Sequence, residues 1–287
     1  MNAFFLIDKP LWITSFDIIR QLKRIFQIKR IWHTGTLDPL ATGLVLVAVG
    51  NYTKLIPYFE KDKKTYEFIV RLDGITASYD LEQPVEYISQ EKQEYFAKHL
   101  TQKNIENILQ QHFLWEISQI PPKYSALKIN GQKALEKVRK WQDFEMKSRS
   151  STIYEIEVLD FTYPEVKIRA TVSAGTYIRS IAYDLWNIIG SGGYVTYLRR
   201  TKIENFSVEE ANILEDFPEV KPFPIEKLFS NIPSLDLSDH YVRRLDQWLP
   251  TNTNLWINEG EYFVKKDEKI THIVKYYDWV LASVRKI

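Results

Sequence analysis

Residues 44–49, Leu-Val-Leu-Val-Ala-Val, follow without a break on "HTGTLDPLATG" at 33–43. This junction constrains the chain more than any other stretch. The apolar run reads as a core strand, and the segment before it joins two glycines, one proline and a single carboxylate. Proline after Asp38 restricts that residue to extended backbone, which fixes the direction of its side chain. Gly35 and Gly43 bracket it and permit tight bends. Asp-Pro alone is a common turn opener. Backed by a rigid strand, a lone aimed carboxylate suits a nucleophile or a general base. The loop lacks the lysine of a phosphate-binding loop.

The rest of the chain narrows the classes further. The 287 residues contain no cysteine, which excludes disulfides and thiolate metal sites and fits a reducing cytoplasm. The start, Met-Asn-Ala-Phe-Phe-Leu-Ile-Asp-Lys-Pro, lacks the pattern of a signal peptide. No apolar run reaches the roughly 18 residues of a membrane span, so a soluble protein is expected. With 38 basic and 37 acidic residues the net charge is +1. A nucleic-acid surface must therefore come from clustering. "RQLKRIFQIKR" (20–30) and "KDKK" (61–64) supply such clusters, each of which also reads as a solvated face.

Residues 3–7 read as a buried strand. Thr14 and Asp17 mark a helix start, and Ile18, Ile19, Leu22, Ile25 and Phe26 recur at helical spacing. Tyr66, Phe68, Val70 and Leu72 alternate with Glu67, Ile69 and Arg71, residues 91–112 look helical, and 152–161 and 166–172 form a strand pair. A helix with Ile178, Ile181, Ala182, Leu185 and Ile188 on one side ends at Gly190. Three prolines in 216–225 mark a boundary, and short aromatic-rich strands follow from about 232. The expectation is an α+β fold on a mixed, mainly antiparallel sheet with flanking helices. Its domains are 1–230 and a small β-rich module at 231–287, which leans on the rest.

Four ordered blocks carry a resemblance: "DKPLWITSFDIIRQLKRIFQIKRIWHTGTLDPLATGLVLVAVGNYTKL", "KTYEFIVRLDGIT" (64–76), "QIPPKYSALKINGQKAL" (119–135) and "SAGTYIRSIAYDLWNIIGSGGYVTYLRRTKIENF" (173–206). Together they resemble the TruB-type tRNA pseudouridine synthases over most of residues 3–208. The resemblance implies the pseudouridine synthase fold. It also implies isomerisation of the uridine conventionally numbered 55 in the T-arm loop of tRNA, without cofactor or metal, by a cytoplasmic monomer. Asp38 corresponds to the essential aspartate. Arg179 corresponds to its arginine partner, Tyr66 to the tyrosine against the target base, and Leu198 to a leucine packed on that base. His33 corresponds to a histidine that helps hold the RNA flipped out. Lys9-Pro10 matches the opening motif, expected to support the catalytic loop. The tail resembles the family's small PUA-type domain in position and strand content.

The roles make physical sense. A guanidinium beside Asp38 keeps the carboxylate ionised. Asp38 could then attack sugar or base, or take a ribose proton. The target must leave its stack to be reached. Lys64 shares a strand face with Tyr66 and reads as a phosphate contact or a solvated lysine. Tyr177 reads as pocket lining or core. The sequence departs from the family at Trp32 and Trp141, where glycine is usual. A bulky residue at 32 predicts a different backbone path into the loop. Two other readings remain: a catalytically silent tRNA-binding or tRNA-folding protein, and an aspartate hydrolase. The hydrolase lacks a paired carboxylate motif to activate water.

Overall fold

The computed structural model describes every residue except 60, 231, 254, 267 and 268. Its main sheet contains β1 (Ala3–Lys9), β2 (Ile31–His33), β3 (Ala41–Val49), β4 (Lys64–Arg71), β5 (Trp115–Gln119), β6 (Arg149–Thr162), β7 (Glu165–Val172), β8 (Tyr194–Ile203) and β9 (Phe206–Ser207). The order is β1-β3-β8-β4-β7-β6-β5, with β2 on β3 and β9 on β8. Only β3 and β8 pair in parallel, with Leu198 opposite Ala41 and Arg200 opposite Gly43. The sheet is mixed and mainly antiparallel, as expected.

The apolar run of β3 is continuous because both of its faces are covered. Val45, Val47 and Val49 join Phe5 and Ile7 in a core closed by Ile18, Ile19 and Leu22 of α1 (Ser15–Phe26) and by Ile178, Ile181 and Leu185 of α5 (Ile178–Ile189). Leu44, Leu46 and Ala48 point the other way, into a second core with Phe4, Leu6 and Leu55. Alternation within one strand therefore feeds two cores.

Helix ends follow the sequence signals. Thr14 and Asp17 form a reciprocal capping box that starts α1. Gly190 ends α5 at φ 79°. The expected helix over 91–112 is in fact two, α2 (Gln90–His99) and α3 (Gln102–His112). Leu100 turns extended and Thr101 caps the second through Asn104, a polar pair that takes the backbone out of the first helix. The short α4 (Ala134–Arg139) follows a two-residue hairpin.

The C-terminal part forms its own sheet from β10 (Ser234–Asp236), β11 (Thr251–Asn252), β12 (Gly260–Lys266), β13 (Lys269–Tyr277) and β14 (Val280–Lys286), with α6 (Asp239–Asp246) beside it. Phe263, Ile270 and Ile273 sit in the same core as Phe4, Leu6 and Leu44. The module thus shares apolar packing with the main sheet. The expected boundary abuts residue 231, which lies outside the described residues. Among the described residues no helix is long and apolar enough to cross a membrane.

Candidate active site

The loop between β2 and β3 is fixed at several points. Leu37 N–H donates to Ser15 Oγ at 2.8 Å, and Ala41 N–H closes a turn on the Asp38 carbonyl at 3.0 Å. Lys9, fully buried, donates through Nζ to the carbonyls of Ile13 (2.6 Å), Pro10 (2.9 Å) and Pro39 (3.3 Å). Arg200 leaves β8 and donates to Leu44 O through Nε (2.6 Å) and to Gly35 O through Nη2 (3.1 Å), so one guanidinium joins the two ends of the loop. Gly43 has φ 104°, and a Cβ there would lie 2.2 Å from Arg200 O. The close pairing of β3 with β8 therefore requires glycine. Gly35 makes no such bend; a Cβ there would meet Arg200 Nη1 at 3.5 Å, an ordinary contact.

Held this way, Asp38 faces Arg179, which enters from the first turn of α5. Arg179 Nε lies 3.0 Å from Asp38 Oδ2. The same guanidinium reaches a second carboxylate, Asp80 Oδ2, at 3.2 Å through Nη1. Nη1 also donates to the carbonyls of Ser78 and Tyr124. Arg179 is 3% exposed and Asp80 4%, so two carboxylates share one buried cation. Burial pushes the Asp38 carboxyl above its ordinary range, Arg179 pulls it back, and the charge of Asp80 adds to the rise. The sequence expectation of a carboxylate simply held down by its arginine is corrected here, because burial outweighs the pull of Arg179 and the shared Asp80 charge adds to it.

A cavity of about 290 Å³ opens beside the pair. Asp38, Lys64, Tyr66, Tyr177, Arg179 and Leu198 all line it. Lys64 and Tyr66 share the buried face of β4 with Phe68 and Val70. Tyr177 caps α5, its backbone tied on both sides to the Gln119 side chain. Lys64 donates to Asp62 O at 2.8 Å, and burial together with Arg200 lowers its ammonium to about 8. A smaller apolar cleft of about 90 Å³ flanks the other side of the pair, with Leu11, Trp12, Leu81 and Tyr197 in its wall.

His33 does not line the cavity. It lies in β2, its ring stacked on Trp32 at 5.4 Å, and burial lowers its imidazole to about 4. Trp32 pairs with Ala48 as an ordinary strand residue. Sequence reasoning missed Arg200 and Asp80. Arg200 stands on a strand among basic neighbours and gives no separate signal. Asp80 lies in a polar loop and is brought in by a parallel bridge to Val195. Among the described residues no group of three or more His, Asp or Glu side chains could hold a metal ion.

Solved structures share this architecture. The protein in "Crystal Structure of a Cbf5-Nop10-Gar1 Complex" aligns with TM-score 0.64 at 22% identity, over 95% of this chain and 78% of that one. The one in "Structure of H/ACA RNP bound to a substrate RNA containing 2'-deoxyuridine" aligns with TM-score 0.64 at 20% identity, over 99% and 84%. At these identities the likeness shows a shared fold. The family model "TruB family pseudouridylate synthase (N terminal domain)" matches residues 23–178. The tRNA pseudouridine synthase B of Aquifex aeolicus is 34% identical over 292 residues, 99% of each chain. That of Clostridium tetani is 38% identical over 249 residues, 85% of this chain and 84% of the relative. The chain belongs to the TruB family of pseudouridylate synthases.

Proposed function

We propose that the protein isomerises uridine to pseudouridine in the T-arm loop of tRNA, at position 55, with Asp38 as the essential carboxylate. The observation that carries the reading is the Asp38–Arg179 pair, 3.0 Å apart at the wall of a cavity that also presents Tyr66. Relatives named tRNA pseudouridine synthase B support the substrate class.

The reaction breaks the C1′–N1 bond, turns the base and joins C1′ to C5. The cavity is of the order of a small-ligand site, so the nucleotide enters alone, flipped from its stack. Tyr66 offers a flat face to the base and Leu198 an apolar one. Arg179 holds Asp38 in place for attack on sugar or base, or for taking a ribose proton. Lys64 and Arg200 bring positive charge to the same cavity, where a backbone phosphate would be neutralised. In this reading residues 1–230 form the catalytic domain, 231–287 an accessory module, and the enzyme works in the cytoplasm.

The test uses unmodified tRNA tritiated at uridine C5, since forming the new bond expels that atom. Wild-type protein releases tritium, and Asp38→Asn binds the tRNA without releasing it. Binding by wild type with no release at any enzyme concentration would instead establish the silent RNA-folding reading.

A further inference from the structure

Five of the eight tryptophans have left-handed backbone: Trp12 (φ 71°), Trp115 (70°), Trp141 (54°), Trp248 (59°) and Trp279 (63°). Among all other described non-glycine residues only five share that region, namely Gln27, Tyr79, Asn130, Glu204 and Asp278. The Cβ of an L-residue opposes this conformation, and a bulky residue there is an outlier. Burial does not compensate. The five are 74%, 64%, 96%, 57% and 50% exposed, although tryptophan is on average a highly buried residue.

The motifs around them are specific. After α4, Trp141 N–H donates to Val138 O (2.9 Å) and Gln142 N–H to Lys137 O (3.0 Å). After α6, Trp248 N–H donates to Leu245 O (3.0 Å) and Leu249 N–H to Arg244 O (3.0 Å). Both are Schellman ends with tryptophan at the left-handed position, where glycine is usual. Asp278 and Trp279, both at positive φ, form the two-residue turn between β13 and β14. That turn calls for Asp-Gly or Asn-Gly.

We infer that these five are glycine positions of the fold, and that the protein made in its natural source carries glycine there. A codon read as tryptophan in one genetic code and as glycine in another produces this pattern; UGA is such a codon. The same reading extends to two further tryptophans. Trp32, like Trp141, stands where the family usually has glycine, and Trp256 is 89% exposed. The ten glycines in 287 residues are about half the usual ~7% share, a deficit that these positions largely remove.

Two of the positions adjoin the site, and this consequence rests on the proposed function. Trp12 walls the cleft beside Asp38 and Arg179, and Trp32 covers one face of His33. Glycine at both would open the cleft and bare the imidazole to an RNA base.

The decisive measurement is peptide mass spectrometry of the protein isolated from its source. Glycine residue masses at 12, 115, 141, 248 and 279 are expected; tryptophan masses would overturn the inference. In the recombinant full-length chain, each Trp→Gly change at these positions should raise Tm by about 2–4 °C. Trp→Ala, which removes the indole but keeps a Cβ, should fall short of it. Equal effects of glycine and alanine would refute the backbone argument. A loss of RNA affinity in the Trp12→Gly, Trp32→Gly double variant would show the indoles to be binding groups and would overturn the inference at those two positions. Neither the masses nor the melting temperatures depend on catalysis, so they stand whether or not tritium is released.

Discussion

Asp80 Oδ2 lies 3.2 Å from Arg179 Nη1, so the guanidinium that meets the proposed catalytic acid is itself anchored to a second, buried carboxylate. Asp80→Asn removes the charge that helps raise the Asp38 pKa. Two effects are expected: kcat falls by about 10–100-fold as Arg179 loses its anchor, and the acid limb of the activity profile moves to lower pH. The sign follows from need for ionised Asp38: activity disappears as pH falls through its raised pKa, and a lower pKa postpones that loss. A pH–rate profile with an unmoved acid limb would discount the coupling.

Lys9 donates to three backbone carbonyls while fully buried. Lys9→Met leaves those acceptors unpaired, which costs about 1–3 kcal/mol of stability. It also frees Pro39, so kcat should fall more than RNA affinity. Chemical denaturation and single-turnover kinetics measure the two effects separately.

His33 titrates near 4 in the folded chain against an ordinary 6.5. Between those values the unfolded chain binds the extra proton. Stability from this group is therefore complete above about pH 6.5 and is lost as pH falls toward 4. The ceiling is about 3 kcal/mol, reduced because the ring is part-exposed. His33→Gln should flatten this segment of the stability curve, and Tm measured across pH reads it directly.

Lys64 has its ammonium lowered to about 8 and opens on the cavity. RNA binding by wild type should weaken as pH rises through 8, where the positive charge is lost. Lys64→Met should bind more weakly at neutral pH, lose that pH response, and reduce the slope of log K against log salt by about 1. Filter binding at several salt concentrations would discard a phosphate contact if both slopes coincide.

The sequence made Asp38 legible because proline, glycine and the core strand each limit how its loop can run. Lys64 and Tyr66 were legible because alternation on one strand places them on one face. Asp80 was not, since a polar loop carries no periodicity and contacts distant in sequence, among them the bridge to Val195, bring it to Arg179. Arg200 was hidden for a related reason: alternation says which face a strand residue takes, not that its guanidinium will span Leu44 and Gly35. The C-terminal strands could be read locally. Their shared packing with Phe4 and Leu6 could not, because it joins residues more than two hundred positions apart.

The many ties on the loop have a mechanical consequence. With Ser15, Lys9 and Arg200 each gripping its backbone, the acid is already in working position before any nucleic acid arrives. Whatever shape change the encounter demands must be borne by the polynucleotide, so ease of unstacking in the RNA, rather than pliancy of the enzyme, should rank one substrate above another.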